Sequence, residues 1–140
     1  KTLLDIMDLR MLLEPYAAEM ACLNGTEEQM QLLEQSVLEY KLEVSRGDMG
    51  DRPGMQMHLF LAEMSGNALL KKICTLLLAQ THAHNMFSQI VEKRKVLDIQ
   101  VAEHEMIAAA VKARDAQTAR NLLYEHIASS RCYLSAEIPE

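Results

Sequence analysis

Apolar residues return at steps of three and four along almost the entire chain, and that period constrains the fold more than any other feature. An α-helix turns once every 3.6 residues, so this spacing lines one helix face, whereas a half-buried strand needs alternation at every second residue. Leu3, Ile6, Met7, Leu13, Ala17, Met20 and Ala21 mark a first helix from Thr2 to about Leu23, with Pro15 expected to kink it or loosen one turn. Asn24 and Gly25 supply a stop. Thr26 with Gln29 three residues later forms a capping box for a second helix to about Arg46, whose inward stripe is Leu33, Val37, Tyr40 and Val44. Residues Gly47 to Gly54 read as the one clear loop, followed by a short third helix from about Met55 to Met64. Ser65, Gly66 and Asn67 mark a turn, and Asn67 caps a long, apolar fourth helix to about Val91. The charged run Glu92, Lys93, Arg94 and Lys95 reads as a solvated helix end and loop. A fifth helix then covers about Leu97 to Ala113, Asp115 caps a sixth to about Ser135, and Pro139 closes the chain.

Six helical segments with short connections and no repeat period predict an all-α fold, an antiparallel bundle of about six helices. With 140 residues, 49% of them hydrophobic, residues 1–140 suit a single domain with one core. Two Phe and no Trp leave little of the aromatic content that strands favour. A net charge of -6 argues against DNA binding by this segment itself, because nucleic-acid affinity rests on clustered Lys and Arg displacing counterions. Cys22, Cys74 and Cys132 lack CxxC spacing and sit among apolar residues, so they read as free core thiols of a reducing compartment. Neither a leader pattern nor an apolar run of about 18 residues is present, which predicts a cytoplasmic protein with no membrane partner. The chain opens at Lys1 inside a helical pattern, as a fragment of a longer protein would.

Three histidines need an explanation. His58, His104 and His126 each interrupt the apolar stripe of a different helix, so three imidazoles point toward one core. Buried polar rings carry a desolvation penalty unless they find partners, and neutral imidazole nitrogen is a common ligand for zinc and nickel. Metal ligation and hydrogen-bonded packing both account for them. His82 and His84, two residues apart, face different ways on a helix and cannot form a ligand pair. His82 shares a semi-polar strip with Leu78, Asn85 and Gln89 that lines a pocket or meets solvent. Arg10 lies near an inward stripe and either pairs with Glu14 or forks onto a ligand carboxylate. A hydrolytic zinc site would need a general base, but Glu103 and Glu105 point to either side of His104 and no HExxH motif occurs; the chain does not read as an enzyme.

The segment Leu9-Arg10-Met11-Leu12-Leu13-Glu14-Pro15 with Ala17-Ala18 resembles the first helix of the FCD domain, the C-terminal effector domain of the FadR subgroup of GntR-type regulators. His58 with Leu61-Ala62 and Ser65-Gly66-Asn67 resembles that family's third helix and turn. Glu103-His104, Ala109, Ala110, Asp115, Ala119 and His126-Ile127 fit its later pattern, so the resemblance covers roughly residues 2–133. It implies a helical bundle that binds a small effector, often a carboxylate, in a central cavity. It also implies a homodimer that holds two N-terminal winged helix-turn-helix domains, absent from this chain, on operator DNA. Many members hold a divalent metal with three histidines, matched here by His58, His104 and His126, and with an Asp four residues before the first. That last position is Gly54 here; Asp51 would reach the site only if its loop folded back. A three-nitrogen site puts zinc or nickel ahead of magnesium or calcium, with Arg10, His82 and Asn85 as ligand contacts. Members without metal take larger apolar effectors, and a purely structural dimerisation bundle is the remaining reading.

Overall fold

The computed structural model describes residues 2–47, 51–85 and 93–137, with side chains for 2–47, 54–83 and 96–135. Among the described residues six helices follow in order: α1 Thr2–Asn24, α2 Glu27–Ser45, α3 Asp51–Met64, α4 Ala68–Asn85, α5 Lys93–Lys112 and α6 Ala116–Glu137. No strand occurs among the described residues. No helix there is long and apolar enough to cross a membrane.

α1 is the central element. It packs along α6 and also touches α3, α4 and α5, while α2 lies against α3 and α5. Such a position buries Met7, Ala17, Ala18, Ala21 and Cys22 on one side, yet leaves Leu9, Leu12, Tyr16 and Leu23 exposed on the other. α1 is therefore apolar on two faces. The main core gathers Leu33 and Val37 of α2, Leu61 and Met64 of α3, Ile107 and Val111 of α5, and Leu123 and Ile127 of α6 around it. Each fully buried side chain of this size contributes about 1.5–3 kcal/mol of transfer free energy.

Local chemistry sets the helix ends. The Thr26 hydroxyl accepts from the Gln29 amide while the Gln29 side chain accepts from the Thr26 amide, so the predicted capping box forms in full. Asn67 Oδ1 accepts from the Leu70 amide and Asp115 Oδ1 from the Thr118 amide, capping α4 and α6. Gly25 sits where a Cβ would come within 2.7 Å of the Ala21 carbonyl oxygen, a close approach only glycine allows. Just past the end of α5, Arg114 lies in the left-handed region at φ 58°, with the Arg114 and Asp115 amides returning to Val111 and Ala110 carbonyls. The Arg114 guanidinium then donates to the carbonyls of Cys22 and Gly25, tying this turn to the end of α1.

Three expectations need correcting. The helix α3 begins at Asp51, not near Met55, so residues 51–54 of the expected loop are helical. Pro53 falls in the first turn, where its missing N–H has no intrahelical acceptor to lose. α5 likewise begins at Lys93, so Lys93 to Lys95 are helix rather than loop. Cys132 is exposed, because it shares a face of α6 with the exposed Glu125 and Ser135, not with the buried stripe of Leu123, Ile127 and Leu134. α1 runs through Pro15 without a break. The expected extension of α4 to Val91, with Gln89, and also Glu92 of the charged run and the terminal Pro139, lie outside the described residues.

Candidate metal centre

The three histidines come together. His58 follows the packed face of α3 through Leu61 and Ala62, His104 that of α5 through Val101, Ala108 and Val111, and His126 that of α6 through Ala119 and Leu123. All three rings are buried, with centroids 5.3 Å apart for His58 and His104, 5.4 Å for His58 and His126, and 4.7 Å for His104 and His126. One ring nitrogen from each lies within 4.8 Å of the others.

A carboxylate stands behind two of the three rings. His58 Nδ1 donates to Oε1 of the buried Glu14, and His126 Nδ1 donates to Glu103 Oε1 at 2.9 Å. Each bond fixes the proton on Nδ1 and leaves the Nε2 lone pair facing the cluster; the tautomers follow from this network. Such carboxylate-histidine pairs orient metal ligands and raise their basicity.

Glu14 also takes the Nε and Nη2 of Arg10, so the Arg10 fork is occupied by its own helix neighbour. Arg10 Nη1 stands 3.5 Å from Thr81 Oγ1 on α4, and Nη2 3.4 Å from His58 Nδ1. Burial pushes the Glu14 carboxyl upward, but the Arg10 charge and the bond to His58 outweigh it and hold the group at about 2. Burial pushes His58 below the usual imidazole value against the pull of Glu14. Burial also pushes His104 well below it, reinforced by His126 and His58. Those two rings are therefore neutral, the form that binds metal.

The donor set fits an ion. His104 Nε2 and His126 Nε2 are 3.1 Å apart, and two nitrogens bound to one zinc at about 2.0–2.1 Å stand about 3.3 Å apart at the tetrahedral angle. That 3.1 Å is also hydrogen-bond distance, and His104 Nδ1, on the other side of the ring, has no hydrogen-bond partner among the described protein atoms. His104 rests against the Tyr40 ring at 4.7 Å.

His82, half-buried, lines an open groove of about 290 Å³ between α3 and α4 with Met55, Gln56, Leu59, Thr75, Leu78 and Ala79. Asn85 is the last residue of α4, and its side chain, like that of Asp51, lies outside the described residues. Glu105 points outward and pairs with Lys41. Sequence reasoning paired Glu14 with Arg10 but missed its bond to His58; its place one turn after Arg10 on the buried face was the available signal. It also missed Glu103, which turns away from His104 and serves a histidine on the next helix.

Six helices closed around inward imidazoles define an all-α domain built on a histidine centre. The chain belongs to the FCD domain family, whose profile matches residues 5–129. It is 26% identical over 139 residues to the HTH-type transcriptional regulator LutR of Bacillus subtilis, covering 97% of this chain and 64% of that protein. Streptococcus agalactiae GntR superposes with a TM-score of 0.79 at 26% identity, covering 92% of this chain and 57% of that one. E. coli McbR/YncC superposes at 0.77 and 20% identity over 94% of this chain and 63% of the other, a likeness of fold. The chain thus spans less than two thirds of each of these proteins.

Proposed function

We propose that this domain is the effector-sensing and dimerising part of a cytoplasmic GntR-type transcription regulator, reading a small carboxylate through a zinc or nickel ion on His58, His104 and His126. The observation that carries the reading is the carboxylate behind His58 and behind His126, which leaves inward lone pairs on rings that packing alone would not require. When bound, such an ion supplies positive, open positions to an anion. Arg10 is the fixed cation beside His58, and we assign effector contacts to it and, on α4, to His82 and Asn85. Arg10 also ties the centre to α4 through Thr81, so an effector that alters the Arg10–Glu14–His58 arrangement shifts α1 against α4. Only a difference in effector affinity between two such arrangements moves the balance between them.

α1 and α4 also carry the apolar surface expected of a homodimer. Leu9, Leu12, Tyr16 and Leu23 on α1 and Leu69, Ile73 and Leu76 on α4 are exposed, Leu12 by 71% and Leu69 by 66%. Stripes at helical spacing on two adjacent helices suit an isologous pairing with a second copy. Operator DNA is then met by winged helix-turn-helix domains N-terminal to this segment, whose own net charge of -6 disfavours phosphate binding.

A second reading has one observation in its favour. The mostly apolar groove around Met55, Leu59, Leu78 and His82 suits a larger apolar effector that needs no metal. Calorimetric titration of small mono- and dicarboxylates into zinc-loaded and chelator-stripped protein separates the two. Heat confined to the zinc-loaded form supports the metal reading. Binding that survives stripping favours the groove, and uniformly flat titrations of folded protein contradict sensing of a carboxylate.

A further inference from the structure

Two of the three clustered rings are held by a carboxylate, and the third is not. Glu14 accepts from His58 and Glu103 from His126, whereas His104 Nδ1 finds no hydrogen-bond partner among the described residues. With its Nδ1 proton committed to Glu103, His126 offers a lone pair at Nε2, so the 3.1 Å contact between the two Nε2 atoms is a hydrogen bond donated by His104. Among the described residues that bond is the one polar contact of the His104 ring. It is lost when both Nε2 atoms turn their lone pairs to one ion, because the His104 proton then sits on Nδ1, where no described group accepts it.

What remains on the ring is an aromatic contact from outside the cluster. Tyr40 of α2, 2% exposed, sets its ring beside His104 with centroids 4.7 Å apart and a 41° tilt. Val44, Leu97 and Val101 pack with Tyr40 and hold it in place. The next residues along the two helices, Lys41 and Glu105, pair at 3.3 Å, which marks the register that brings Tyr40 opposite His104. We propose that Tyr40 is a positioning residue of the histidine centre: its ring fixes the plane of the His104 imidazole and so aims Nε2 at the point shared with His58 and His126. The inference rests on the three-histidine reading above. An aliphatic side chain at position 40 would fill part of the same volume without giving the imidazole a flat wall to rest on.

The test titrates the chelator-stripped 140-residue chain with zinc in competition with a chromophoric chelator, while circular dichroism and thermal unfolding follow the fold. Tyr40→Phe keeps the ring and is expected to keep the wild-type affinity. Tyr40→Leu, and Tyr40→Met as a flexible filler of the same space, lower the affinity by about 3- to 10-fold, the scale on which one aromatic pair counts. Met30→Ala truncates a buried side chain toward the other end of α2 and is the control: it loses stability and keeps the wild-type affinity. A folded Tyr40→Leu or Tyr40→Met protein with wild-type affinity overturns the proposal, as does a Tyr40→Phe or Met30→Ala protein whose affinity falls as far as theirs. Wild type that takes up no zinc overturns the histidine centre itself, a result visible before any variant is made.

Discussion

Glu14→Gln removes one charge from the middle of the bundle while preserving the size of the side chain. Glu14 is 2% exposed and shares its two oxygens between Arg10 and His58. A carboxyl held at about 2 instead of 4.5 favours its ionised form by about 3 kcal/mol. Independently, removing one partner of a buried ion pair costs about 3–5 kcal/mol, because the remaining charge is left in a poor solvent. The two routes agree, and Glu14→Gln is expected to lose about 3 kcal/mol of stability at pH 7. The folded value lies below the unfolded one, so this contribution is complete above about pH 4.5 and fades as the pH falls toward 2; the gap between wild type and variant closes over that window. Arg10→Met combined with Glu14→Leu removes both charges and fills the space with apolar groups, which returns stability close to wild type. Urea unfolding followed by circular dichroism at a series of pH values measures all three proteins. A Glu14→Gln variant within about 0.5 kcal/mol of wild type at pH 7, or a gap that ignores acid, refutes the reasoning.

Glu103→Gln keeps an acceptor for His126 but weakens its basicity, so zinc affinity falls about 10- to 100-fold with the fold intact, as read by chelator competition. Arg114→Ala loses the bonds to the Cys22 and Gly25 carbonyls and keeps the left-handed backbone, whereas Arg114→Gly relieves the backbone. Thermal unfolding is expected to place Arg114→Ala below Arg114→Gly by about 1 kcal/mol and both below wild type; equal values contradict the account of this turn. Leu12→Glu puts a charge on the most exposed apolar residue of α1 and is expected to convert the proposed homodimer into monomer by light scattering, without loss of helix.

Much of the architecture was legible because helices announce themselves through their period and caps. Thr26 with Gln29, Asn67 and Asp115 mark helix starts by hydrogen bonds made within three residues, which a sequence contains in full. The start of α3 was not legible, since Pro53 and Gly54 are loop residues by local preference, yet both fall inside the helix. The convergence of His58, His104 and His126 followed from their positions on three inward stripes. Their carboxylate partners did not, because Glu14 reaches α3 and Glu103 reaches α6 across bonds that no local spacing encodes. Cys132 was misplaced for a related reason: its neighbours along the chain are apolar, but its neighbours around the helix are not.

X-ray absorption at the zinc edge, recorded on protein loaded with one equivalent of zinc, tests the centre most directly. The account predicts three imidazole nitrogens at about 2.0–2.1 Å with one or more oxygen ligands completing the shell, and loss of that pattern in His126→Ala. Sulfur in the first shell, or a spectrum that His126→Ala leaves unchanged, would contradict it.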